Sequence, residues 1–182
     1  MVSGRSVTEC WRLRPVNQSD IAGLHALACQ PLIYRYLFDN AAPECEFIAK
    51  RVTQAIANAA TPGLGMWVLE GHSTSCAGCV ELRPYPLPNS AEITYLLHPD
   101  NWRQGLATRM AWTAITRDFA SPHIDYIVAG HDLPNTASSA VMRRLGMRFH
   151  KNVRYPLGAG AEYILHRDDA GPMPRPALIP LP

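Results

Sequence analysis

Several classes of protein are excluded by what this 182-residue sequence lacks. No apolar run approaches the roughly 18 residues that a membrane helix needs. The opening stretch MVSGRSVTEC has no apolar h-region, so no secretory leader is read there and a cytoplasmic protein is the default expectation. Charge of one sign is scarce: 17 Lys and Arg against 15 Asp and Glu leave a net charge of +2. That balance gives no electrostatic footprint for nucleic acid or for a membrane surface. The five cysteines are odd in number and have no framework spacing, which suits free thiols in a reducing compartment. One CxxC, Cys76 to Cys79 with His72 upstream, has no second pair to complete a zinc site, and reads as small residues at a strand start. There are no internal repeats. Neither of two familiar phosphate motifs is present, GxxxxGK[ST] or GxGxxG.

What is present is a regular alternation of strand and helix signals. WRLRPV (11–16) reads as a strand, and Asp20 is placed as the cap of a short helix carrying Ile21, Leu24 and Ala28. PLIYRYLFDN (31–40) is aromatic and reads as irregular. From Glu44 a helical stripe of Ile48, Val52, Ile56 and Ala59 runs to the stop TPG. Strands follow at 65–71, 78–83 and 91–98, spaced as an antiparallel meander. A helix from 106 carries Leu106, Met110 and Ala114, then comes a strand at 124–130 and a helix from Asn135 to the stop at Gly146. Strands MRFHKNVRY and AEYILHR close the order β-α-α-β-β-β-α-β-α-β-β. One domain over 1–169 is expected, with a proline-rich, unpacked tail at 170–182.

The stretch NWRQGLATRM (101–110) carries the first chemical signal. A strand leads into a glycine turn, and the turn opens a helix. The first amides of a helix lack partners, and the macrodipole adds partial positive charge there. Residues 103 to 108 can therefore cradle a diphosphate, with Arg103 and Arg109 adding charge. Taken alone, an ordinary tight turn explains the stretch as well.

Four segments in order resemble the GNAT superfamily of N-acetyltransferases, and within it the ribosomal-protein N-terminal acetyltransferase branch. They are RLRPVNQSD (12–20), RYLFD (35–39), AEITYLLHPDNWRQGLATRM (91–110) and NTASSAVMRRLGM (135–147). The resemblance spans roughly residues 11 to 168. It implies an α/β (α+β) fold: a mixed, mostly antiparallel sheet of about seven strands, helices on both faces, and a splayed central strand pair. It implies acetyl-CoA as cosubstrate and no metal. The coenzyme's arm would lie against Leu96, Leu97 and His98, with its diphosphate on Arg103, Gln104, Gly105, Leu106, Ala107 and Thr108. Asn135 would contact the arm as well as cap its helix, and Ser138 would lie near the sulfur.

Acetyl transfer to an amine needs a proton acceptor for the ammonium, a donor for the oxyanion, and a proton or hydrogen bond for the departing thiolate. A backbone N–H near Leu97 is the oxyanion candidate. Glu81 and Glu92, on strands flanking the acceptor site, are the candidate bases, beside a turn histidine, His98. Many superfamily members place a tyrosine four residues before the helix-ending glycine, but here Met142 occupies that place. Ser138, a water, Tyr155 or Tyr163 would have to replace it. Tyr34, Tyr36, Phe38 and Tyr155 are expected to wall the acceptor site, and Asp39, Glu44 and Glu46 to draw a cationic amine. No cysteine stands as a nucleophile, so direct transfer in a ternary complex is expected. The acceptor is an amine, on a peptide N-terminus or a small molecule. A catalytically weak acyl-CoA-binding module is the competing reading. No nucleic-acid or membrane partner is implied, and a homodimer is allowed.

Overall fold

The computed structural model describes residues 10–71, 74–171 and 179. Strand β1 (Arg12–Pro15) opens the chain, followed by helices α1 (Ile21–Ala28), α2 (Pro31–Leu37) and α3 (Cys45–Asn58). The meander β2 (Gly65–Glu70), β3 (Gly78–Pro84) and β4 (Ser90–Leu97) leads into α4 (Leu106–Asp118). Then come β5 (Tyr126–Asp132), α5 (Thr136–Arg144), β6 (Arg148–Tyr155) and β7 (Gly158–His166). The seven strands form one sheet in the order β1-β2-β3-β4-β5-β7-β6. Every neighbouring pair is antiparallel except β4–β5, which is parallel.

Alternation along the strands sorts side chains into two cores. Ala91, Ile93 and Leu97 of β4 pack with Met110, Ala111 and Ala114 of α4 and with Met142 of α5. On the opposite face Met66, Val68 and Cys79 pack with Leu24 of α1 and with Ile48, Val52 and Ala55 of α3, and Leu96 joins them. Helices therefore cover both faces of the sheet.

The structure corrects four local expectations. Residues 31–37 are helical rather than irregular: Pro31 takes the first helical position, where its missing N–H costs nothing, and Ile33 is buried. The buried stripe of α3 is Ile48, Val52 and Ala55, whereas Ile56 is 39% exposed. Asn17, not Asp20, supplies the cap after β1; its Oδ1 accepts from Ser19 N–H. Asp20 instead accepts from Asn17 N–H and pairs with Arg14, at 2.6 and 2.8 Å. Fourth, the expected unpacked tail is packed at Ile179, which is buried in the core with its N–H donated to Thr113 Oγ1 at 3.2 Å. Most of the remaining tail lies outside the described residues, as does His72.

One charged side chain is buried away from any proposed chemistry. Asp118, at the end of α4, is fully buried, and neither carboxylate oxygen has a hydrogen-bond partner among the described residues. Burial pushes its carboxyl up to about 7, with Arg167 pulling weakly the other way. The Cα of Gly63 is close enough that an added Cβ would stand 2.1 Å from Asp118 Oδ1.

Candidate active site

The parallel strands β4 and β5 pair over three residues only: Ser90 with Tyr126, Ala91 with Ile127 and Glu92 with Val128. Beyond that point they part, and the sheet holds a wedge-shaped opening at their C-terminal ends. On the β3 side pairing continues, and His98 N–H donates to Ala77 O at 2.8 Å. Amides of an antiparallel strand alternate in direction, so Leu97 N–H points away from β3, toward the opening. Leu97 O is already engaged, accepting from Trp102 Nε1 at 2.7 Å. That bond fixes the following turn to the end of β4.

The turn is built on two left-handed residues, Arg103 (φ 61°) and Gly105 (φ 73°). Gly105 is the N-cap of α4, with no side chain capping the helix. The first internal bond of α4 joins Arg109 N–H to Gly105 O at 3.1 Å, which leaves the amides of Leu106, Ala107 and Thr108 without helical partners. An added Cβ at Gly105 would meet nothing within 4 Å, so the turn is uncovered at the start of α4. The residues present therefore fit a diphosphate group, and the opening beside them fits an extended arm. Gln104 folds back on Asp100 O at 3.4 Å, and His98 Nδ1 accepts from Asp100 N–H at 3.4 Å, so the imidazole serves the turn rather than the cleft.

Helix α5 forms the other wall. Asn135 caps it, its Oδ1 accepting from Ser138 N–H at 3.2 Å. Ser138 Oγ lies 2.9 Å from Tyr95 Oη, and Tyr95 also donates to Ser138 O at 3.2 Å. Tyr95 stands on β4 between Ile93 and Leu97, and burial pushes its hydroxyl up to about 12, so it stays protonated. The sequence points to Ser138 but not to its partner Tyr95. The period-two placement of Tyr95 with Ile93 and Leu97, facing the helical side, is the signal that would have found it. Met142 is buried in the core, and Tyr163 packs against His131 and Phe149 rather than Ser138.

The opposite face of the sheet gathers the carboxylates. Glu81 is buried and paired with Arg51 of α3. Glu92 accepts from Arg83 Nε and Nη2 at 3.0 and 2.8 Å, both through Oε2. Glu162 accepts from Tyr85 Oη at 2.7 Å and pairs with Lys151 at 3.1 Å. Tyr155 packs its hydroxyl over Gly130, and burial, with Glu162, Glu92 and Asp132 nearby, pushes it up to about 12. Tyr34 and Tyr36 line a groove of about 690 Å³ between α2, the segment after β5 and the β6–β7 turn. Phe38 turns away from that groove, packs edge-on against Phe47 and lines a smaller cavity of about 40 Å³ with Glu81, Thr94 and Leu96. Glu46 pairs with Lys50 on the surface of α3. Among the described residues no three metal-ligating side chains cluster, and no helix is long and apolar enough to cross a membrane.

An anion cradle at a helix start, opening into a cleft between parted parallel strands, defines the class of transferases that take an acyl group from coenzyme A. The comparisons agree. The family described as Acetyltransferase (GNAT) domain matches residues 11–148, and the chain belongs to that family. It is an acetyl-CoA-dependent acetyltransferase that acts on amines. No curated protein sequence matches it. Among solved structures, it is similar to the ribosomal L7/L12 α-N-protein acetyltransferase RimL in complex with coenzyme A: TM-score 0.72, 21% identity, covering 91% of this chain and 98% of that one. The Salmonella typhimurium acetyltransferase that modifies the N-terminal serine of L7/L12 gives 0.70 and 20%, covering 86% and 95%. Spermidine N-acetyltransferase from Vibrio cholerae, bound to coenzyme A and spermine, gives 0.73 and 15%, covering 88% and 98%. At these identities the likeness is one of fold.

Proposed function

We propose that this chain transfers acetyl from acetyl-CoA to a primary amine in a ternary complex, with the α-amine of a peptide N-terminus as the acceptor class. The observation that carries the reading is the parting of β4 from β5 after Glu92, with the open α4 amides at its wide end. Bound acetyl-CoA supplies the activated thioester. Leu106, Ala107 and Thr108 amides hold the diphosphate, and the flexible backbone of Gly105 lets it approach closely. Leu96 and Leu97 border the arm, and Asn135 sets the start of α5 beside it. Leu97 N–H donates to the carbonyl oxygen as negative charge develops there. Ser138 donates to the departing sulfur, and the Tyr95 hydroxyl holds Ser138 in place. Glu92, with Oε1 outside the arginine contact, adds negative charge to the acceptor side, and Glu81 holds Arg51 and thereby α3 against the sheet.

The peptide acceptor is supported by the groove itself. Pro31, Leu32, Leu133 and Leu157 give it an apolar lining, and Arg35 stands among them, which suits a peptide end better than a polycation. The test is acetylation of an amine panel read by mass spectrometry: N-terminal peptides, spermidine, free amino acids and an aminoglycoside. Peptide product above all others is expected. Tight acetyl-CoA binding with no acetylated product from any amine would sink the enzymatic reading, and a preference for spermidine would sink the peptide one.

A further inference from the structure

Strands β3, β4, β5 and β7 each bring one carboxylate to the acceptor face, and three are already compensated: Glu81 by Arg51, Glu92 by Arg83, Glu162 by Lys151. The fourth is Asp132, the last residue of β5. Its side chain is 8% exposed, its Oδ1 has no hydrogen-bond partner among the described residues, and it lines the groove beside Tyr34, Tyr36 and Asn40. A buried carboxylate without a cation is costly, and unlike Asp118, which is sealed in the core, Asp132 lines an open groove from which a ligand can supply the missing charge. The position is also fixed: Asp132 O accepts from Asn135 N–H at 2.8 Å and from the His131 ring at 2.7 Å. The first bond ties Asp132 to the start of the helix that carries Ser138, so groove and cleft share one rigid corner.

We propose that Asp132 is the acceptor's carboxylate: it binds the substrate ammonium in the groove and takes its proton. This rests on the amine-acetylation reading above and deepens it, replacing Glu81 and Glu92 as the base. One N–H bond of the ammonium breaks and its proton goes to Asp132. The freed lone pair forms the N–C bond as the C–S bond breaks; the sulfur leaves as thiolate and takes, through the Ser138 hydroxyl, the second proton that the nitrogen sheds to reach the neutral amide, and Asp132 then releases the first proton to solvent. A carboxylate lining the groove, with Leu32, Leu133 and Leu157 exposed beside it, selects an amine with an apolar flank.

Burial, and the nearby Asp39, raise the Asp132 carboxyl above its ordinary value, while His131 opposes them. A raised value brings a base closer to the operating pH. The groups facing it are Asp39 after α2, Arg35, Tyr34 and Tyr36 on α2, His131 on β5, and Tyr155 on β6.

The test compares wild type, Asp132→Asn and Asp132→Glu on a peptide acceptor with a free N-terminal amine across pH, with acetyl-CoA affinity by calorimetry and folding by circular dichroism. Asp132→Asn is expected to lose about 100-fold in kcat/KM and the acidic limb of the profile, with acetyl-CoA Kd unchanged within about twofold. Asp132→Glu should recover part of the rate with the limb displaced. A folded Asp132→Asn within about threefold of wild type, or a folded Asp132→Glu as slow as Asp132→Asn, overturns the assignment. Wild type that acetylates no amine overturns the reading beneath it as well, so the two failures are distinguishable.

Discussion

In the mechanism proposed above, the contact between Tyr95 and Ser138 substitutes for an absent residue. With Met142 buried where other members carry a tyrosine, the sulfur's partner must come from elsewhere in the cleft. The 2.9 Å Tyr95–Ser138 contact places two hydroxyls there, one aligning the other. Ser138→Ala is expected to lower kcat roughly 10- to 100-fold, and Tyr95→Phe by less, with little change in acetyl-CoA affinity for either. Single-turnover kinetics beside calorimetry check this; equal losses in binding and in turnover would contradict it.

Asp118 offers a residue-scale prediction about stability. Its folded carboxyl lies near 7, above the ordinary value of 3.8, so the native state keeps a proton that the unfolded chain releases. The unfolded chain binds fewer protons across that window, and stability falls as pH rises from about 4 to about 7. Asp118→Asn removes the ionisation and is expected to stabilise by about 1–3 kcal/mol at pH 8, with the gain shrinking toward pH 4. Denaturant melts at both pH values check the sign.

At the scale of elements, the sequence displayed the scaffold well and the site less well. Helices α3 to α5 announced themselves by helical spacing, and strands β2 and β3 as short apolar runs between turn residues, because both faces of those strands are buried. Helix α2 did not: at seven residues it is too short for a stripe, and Pro31 and the aromatics read as a break. The strand at 124–130 was found but ended too early, since His131 and Asp132 look like turn residues. That two-residue difference hid Asp132, whose meaning depends on being buried at a strand end. The ion pairs that occupy Glu81 and Glu92 were also invisible, because Arg51 lies 30 residues from Glu81 and adjacency comes only from packing. The glycine turn was legible. At Gly105, φ is 73° and the Cβ position is open. Gly105→Ala therefore carries only the backbone cost, about 1 kcal/mol, whereas Gly105→Glu adds a carboxylate before the diphosphate. Calorimetry should show acetyl-CoA weakened at least about tenfold more by Glu than by Ala, and equal effects would argue against the cradle.

At the scale of the whole molecule, the C-terminal segment is part of the fold at Ile179, which is buried against the face that carries α4. A composition rich in proline foretold an extended stretch, and it could not foretell that one aliphatic side chain finds a slot beside Thr113. Ile179→Ala should cost about 2–4 kcal/mol and lower Tm by several degrees, whereas an idle tail would leave Tm unchanged.

The three-residue seam between β4 and β5 divides the sheet into a four-stranded block and a three-stranded block. Few main-chain bonds cross it, so the coenzyme's arm, laid in the gap as proposed, would act as a missing rung that fastens one block to the other. Loading with acetyl-CoA should then slow amide exchange on both margins of the gap, and the empty protein should breathe along that line before it melts anywhere else.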